Sequence, residues 1–137
     1  MRYVLLDTNV VLDVLYDRTP WVAEARAIWQ AVDDGRVLAY VAATTLTNIF
    51  YIGRQISGLQ SAHEAIQTCL EAFEICTIDR PTLERALKLS GNDFEDNVQI
   101  ACAESYGVEA IITRDARGFK DSPIPVLTPT QALTEIS

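Results

Sequence analysis

The chain has 137 residues, 49% of them hydrophobic, and a formal net charge of −8. That length suits one domain, that apolar share fills a packed core, and the sparse Gly and Pro exclude a low-complexity or disordered chain. The acidic balance argues against nonspecific binding to nucleic acid, which draws on a basic surface, unless several acids converge on a metal ion that partly neutralises them.

No run of about 18 apolar residues is present, so no membrane-spanning segment is expected. The opening MRYVLLD has too short an apolar run for a secretory signal, and the expected location is the cytoplasm. The three cysteines, Cys69, Cys76 and Cys102, are odd in number and scattered among apolar residues. They read as small core residues and not as a disulfide framework or a zinc set.

In chain order, residues 2–6 read as a short buried strand. Asn9 to about Tyr16 reads as a helix with Val10, Val11 and Val14 inward. Thr19 is placed to cap the next helix, with Pro20 at its first position. Trp21, Ala25, Ile28, Trp29 and Val32 follow at helical spacing, and Gly35 closes it. Val37–Val41 is a second strand, and Thr44 or Thr45 caps a helix to about Ile56. Ser61 and Glu64 form the pattern of a capping box for another helix. Glu74–Ile78 is a third strand ending at Asp79, and Pro81 and Thr82 start a helix to about Leu89. DFEDNVQIACAESYG is a helix closed by Gly107. Glu109–Thr113 is a fourth strand, IPVL a weak fifth, and a short helix begins near Pro129. Buried strands alternating with helices, without repeat or linker, predict an α/β sandwich with a mostly parallel sheet in one domain over residues 1–137.

In such a sheet, ligands bind beyond the carboxyl ends of the strands. Asp7 directly follows the first strand and Asp115 follows the fourth. Asp93 and Asp96 open the intervening helix three residues apart, hence on one face, and that helix starts at the same edge. The four acids can therefore converge. Two carboxylates about 5 Å apart repel by roughly 3 kcal/mol at an effective dielectric of about 20, so a proton or a cation must relieve them. Oxygen ligands without His or Cys favour a hard ion, Mg²⁺ or Mn²⁺. Each acid also has a plain structural reading. Asp7 and Asp93 are placed to cap helices, Asp96 to favour a helix dipole, and Asp115 to start a turn. Glu95, Asp121, Asp13 and Asp17 read as surface residues.

The order LLDTNVVLDVL, TTLTNIFYIGR, DFEDNVQIACAESYGVEAIITRD, then Phe119 and PIPVLTP resembles the PIN domain, and within it the prokaryotic VapC-type toxins. The resemblance covers nearly the whole chain. It implies a three-layer α/β/α sandwich and a Mg²⁺- or Mn²⁺-dependent ribonuclease. The first acid of the family falls on Asp7, the later helix acid on Asp96 with Asp93 one turn earlier, and the last acid on Asp115. Thr113 takes the place of a common Ser or Thr and is expected to contact substrate. Where the family usually has a Glu after the second strand, this chain has Asn48, which is neutral and can bind a metal through its carbonyl or orient a water; it is expected as a site residue but not as a base. An antitoxin partner and a homodimer are further implications. The apolar surplus at Phe50, Tyr51, Ile52 and Ile56 suits either an interface or burial within the monomer.

Arg114, Arg117 and Lys120 flank Asp115 and could contact phosphate, Arg bidentately, or simply line a solvated loop. His63 is far in sequence from every acid. Phosphoacceptor domains and haloacid-dehalogenase-like phosphatases fit poorly, because their acid pair, Lys or second Asp is absent. With Asn48 in place of an acid, the rival reading is a catalytically degenerate PIN domain that only binds a partner.

Overall fold

The computed structural model describes residues 1–136. Five strands form one sheet: β1 (Tyr3–Leu6), β2 (Leu38–Ala42), β3 (Glu74–Cys76), β4 (Ala110–Ile112) and β5 (Val126–Leu127). Their order is β3-β2-β1-β4-β5 and every pairing is parallel. The helices are α1 (Thr8–Leu15), α2 (Val22–Asp33), α3 (Ala43–Ser57), α4 (Leu59–Ala72), α5 (Arg80–Lys88), α6 (Phe94–Tyr106) and α7 (Pro129–Glu135). A 3₁₀ turn covers Ala116–Phe119. No helix among the described residues is long and apolar enough to cross a membrane.

The alternation of strand side chains sorts the core into two faces. Val4, Leu6, Val41 and Ile112 pack with Val10, Val11, Ile28, Ile49 and Cys69 on one side. Leu5, Cys76 and Ile111 pack with Val98, Ile100, Cys102 and Phe119 on the other. The result is a three-layer α/β/α sandwich. All three cysteines are free and buried.

Helix ends obey local chemistry where glycine or an acid dictates it. Gly35, at φ +74°, lets its amide and that of Arg36 bond back to Val32 and Ala31, and Gly107, at φ +64°, closes α6 in the same way. Asp79 accepts from the Thr82 amide at 3.1 Å and opens α5.

Three expected caps fall elsewhere. The α2 turn is begun by the Arg18 carbonyl, which accepts from Val22 N at 2.9 Å, and Thr19 caps nothing. Ala42 holds the N-cap position of α3 without a side-chain bond. Thr45 is instead buried, its hydroxyl paired with that of Thr8 at 3.0 Å. Gly58, at φ +90°, reverses the chain so sharply that α4 starts at Leu59 and Ser61 lies inside it. Glu64 then accepts from Gln60 Nε2 at 3.3 Å and forms no capping box.

Candidate functional site

The sheet order reverses direction between β1 and β4, since β2 and β3 lie to one side of β1 while β4 and β5 lie to the other. Parallel sheets hold ligands in the crevice at such a reversal, beyond the strand ends. Asp7 leaves β1 at this point, its amide donating to the Ile112 carbonyl at 2.9 Å. Thr113 and Asp115 leave β4 beside it. Asp93 caps α6 at the same edge, accepting from the Asp96 amide at 3.2 Å. Capping and site membership are therefore compatible for both Asp7 and Asp93.

Asp7 is 7% exposed and bonded by three neutral donors. Its Oδ1 accepts from Thr8 N at 2.7 Å and from Gln99 Nε2 at 2.9 Å, and its Oδ2 accepts from the Thr113 hydroxyl at 2.7 Å. A carboxylate offers about four acceptor positions. Both on Oδ1 are filled, and one remains on Oδ2.

Asp96 is half-buried, and its carboxyl is pushed up to about 7, first by burial and then by the charges of Asp93, Asp7, Glu95 and Asp115. Glu95, read as a surface residue, is half-buried and adds to this field. Among the described residues no basic side chain pairs with Asp96. Its Oδ2 lies against the backbone at Gly118, where a Cβ would collide with it.

Asp115 behaves in the opposite way. The Arg117 guanidinium donates to both of its oxygens at 2.9 Å, and this pairing, with the Arg117 amide, holds the carboxyl down at about 2. Arg117 is thus committed to Asp115, although its side chain is 91% exposed and stands at the rim. Asn48 is half-buried on α3, one turn beyond Thr45, and among the described residues it makes no hydrogen bond to a site acid.

Two residues expected to contact substrate are engaged within the protein. Thr113 is fully buried, and its single hydroxyl proton goes to Asp7. Arg114 donates to Asp13 Oδ2 at 2.8 Å and stacks 3.8 Å above the Trp21 ring. Asp13, read as a surface residue from its charge, is 1% exposed because Arg18 also reaches it, at 2.8 Å. His63 is exposed on α4, edge-on to Phe50.

A family model for the PIN domain matches residues 3–117. The chain belongs to the PIN-domain family. No curated protein sequence matches it. Among solved structures, this PIN domain is similar to FitAcB from Neisseria gonorrhoeae, with TM-score 0.73 at 20% identity over 93% of this chain and 98% of that one. A toxin–antitoxin complex from Klebsiella pneumoniae matches with TM-score 0.67 at 25% identity, over 92% and 97% of the two chains. The sarcin-ricin loop cleaving toxin VapC20 of Mycobacterium tuberculosis matches with TM-score 0.69 at 12% identity, over 85% and 92%. The PIN domain thus has the fold of VapC-type toxins.

Among the described residues of this PIN domain, no three acidic, His or Cys side chains stand close enough to grip a metal ion as they are arranged. Asp115 is turned into Arg117, and Asp7 is tied down by its donors. The donor chemistry nevertheless fits a hard cation. The groups are oxygens only, and Asp96 sits among four carboxylates without a basic partner of its own among the described residues. Two buried carbonyl oxygens beside Asp7 and Thr113, Gln99 Oε1 and Asn9 Oδ1, have no hydrogen-bond partner.

Sequence reasoning missed Gln99 and Asn9. The spacing of Gln99, three residues past Asp96, was the available signal, because it extends the face already carrying Asp93 and Asp96.

Proposed function

We propose that this PIN domain is a metal-dependent endoribonuclease and the toxin of a toxin–antitoxin pair, acting in the cytoplasm. The observation that carries the reading is Asp96, half-buried among Asp93, Asp7, Glu95 and Asp115 with no basic side chain among the described residues paired to it, at the crevice where the sheet order reverses. A proton or a divalent cation relieves such crowding.

Asp7, through the open position on Oδ2, would hold Mg²⁺ or Mn²⁺ together with Asp96, Asp93 and Asp115. When bound, that ion offsets charge developing on a phosphodiester and activates water for hydrolysis. The chain's own groups do the rest. Thr113 and Gln99 fix the Asp7 carboxylate, while Asn9 Oδ1 and Gln99 Oε1 offer acceptors to water molecules in the crevice. Arg117 holds Asp115 until RNA competes for its guanidinium, which suits phosphate bidentately. Asp96, whose carboxyl is raised toward neutral pH by burial and by its acidic neighbours, would serve as a ligand in its deprotonated form.

The VapC-type fold supports an antitoxin partner and a homodimer. Tyr51 and Ile56 on α3 and Leu59 on α4, 64%, 55% and 52% exposed, offer apolar area for either. Asn48 favours a second reading, a degenerate domain that only binds its partner, because it supplies no charge where the family usually has Glu.

Cleavage of a mixed RNA pool by the purified protein separates the two. The nuclease reading predicts cleavage with Mg²⁺ or Mn²⁺, abolished by EDTA and reduced at least about 100-fold in Asp7→Asn or Asp96→Asn. Cleavage by Asp7→Asn at the wild-type rate would remove Asp7 from the mechanism. Metal-independent silence of the wild type would leave the binding module.

A further inference from the structure

Gln99 lies one turn beyond Asp96 on α6 and is 0% exposed. A buried glutamine is a costly choice for mere packing, since its amide brings two N–H groups and a carbonyl that all want partners. Here Nε2 donates to Asp7 Oδ1 at 2.9 Å, while Oε1 has none. The sense of the amide is set by the carboxylate, because turning it over would press Oε1 against Asp7 Oδ1. The bond therefore defines the orientation of both side chains.

We propose that Gln99 is the positioning residue of Asp7, filling the second acceptor position of Oδ1 so that a divalent cation meets Asp7 through Oδ2 alone. The inference rests on the metal-dependent reading above and names the device that prepares its first ligand. Thr8 N and Gln99 Nε2 pin Oδ1, and the Thr113 hydroxyl pins Oδ2 from the other side. Three directional bonds leave the carboxylate one rotation about Cβ–Cγ. Without the Gln99 donor, Oδ1 regains a free lone pair, one tether is lost, and both oxygens compete for the ion. The orphaned Oε1 stays beside the site as an acceptor for a water proton. Groups that orient metal ligands in this way commonly affect affinity by about 10- to 100-fold when removed.

Gln99→Met keeps the length and bulk of the side chain while deleting the donor and the orphaned acceptor, and Gln99→Leu provides a second variant in case the first folds poorly. Thermal melting, Mn²⁺ titration calorimetry and crystal structures with and without Mn²⁺ are compared with the wild type. The expected result is a melting temperature close to that of the wild type, since the variant loses one hydrogen bond to the buried Asp7 carboxylate but no longer buries an unpaired carbonyl, with Mn²⁺ affinity about 10- to 100-fold weaker. The Asp7 carboxylate of the variant is expected to be rotated or to meet Mn²⁺ through both oxygens. An unmoved Asp7 overturns the proposal, and so does a loss of affinity that merely follows a loss of stability. If the wild type itself takes up no Mn²⁺, the nuclease reading fails on its own, and the metal-free variant structure judges Gln99 separately. A turned Asp7 there sustains the positioning role, and an Asp7 held in place ends it.

Discussion

Asp96 is the residue on which charge and pH meet, and on which the proposed metal site turns. Its carboxyl, raised to about 7 in the folded protein, keeps a proton that the unfolded chain releases near its ordinary value of 3.8. Between those values the folded state binds more protons, so the group's effect on stability becomes less favourable as pH rises through the window and is fully adverse above it. Asp96→Asn removes that charge. In metal-free buffer the variant is expected to melt above the wild type at about pH 8 and close to it at about pH 4, as differential scanning calorimetry would record. A variant that melts no higher at the alkaline end would refute the crowding. Because the same proton competes with a cation, wild-type Mn²⁺ affinity should increase from about pH 6 to about pH 8. Asp115 runs the other way: its carboxyl, held at about 2 by Arg117, favours the fold at neutral pH and loses that contribution only as pH falls below the ordinary carboxylate range. Asp93 and Asp96 were legible as a pair because helical spacing is a local property. Asp13 was not, because its burial depends on Arg18 and on Arg114, the latter 101 residues away.

At the scale of elements, α1 and the segment leaving β4 are joined by that buried acid. Asp13 projects from α1 between Arg18 and Arg114, and Arg114 in turn rests on Trp21 ahead of α2. Arg114 lies between Thr113 and Asp115, so this tie also steadies the chain that carries both. Both guanidinium groups keep some contact with water, with side chains 33% and 25% exposed, which limits the penalty of leaving them unpaired. Asp13→Ala is therefore expected to cost about 1–3 kcal/mol in urea unfolding. A midpoint equal to the wild type would show the network to be idle. The helices themselves were readable from apolar spacing, and Gly35 and Gly107 marked their ends correctly because a left-handed residue favours glycine. Two of the expected caps fail for different reasons: the Thr45 hydroxyl is drawn into a tertiary contact with Thr8, and Ser61 is left inside a helix because Gly58 reverses the chain first.

At the scale of the whole molecule, alternation of strand and helix announced a parallel sheet, but it could not give the strand order. That order follows from which way each crossover turns, and the turn that places β4 beside β1 brings Asp7 next to Thr113 across 106 residues. The crevice, the shared hydroxyl and the crowding of Asp96 all follow from this one pairing. So does the role of Gln99, whose spacing marks it as a neighbour of Asp96 but whose bond to Asp7 appears only when α6 is laid against the end of β1. The claim that unites these scales is that the acids of this crevice are a seat for a divalent cation. Calorimetric titration of Mn²⁺ into the wild type, Asp7→Asn and Asp96→Asn at about pH 8, where the Asp96 carboxyl has released its proton, tests it most directly. The account predicts saturable binding by the wild type and none by either variant. Equal binding by all three proteins would contradict it.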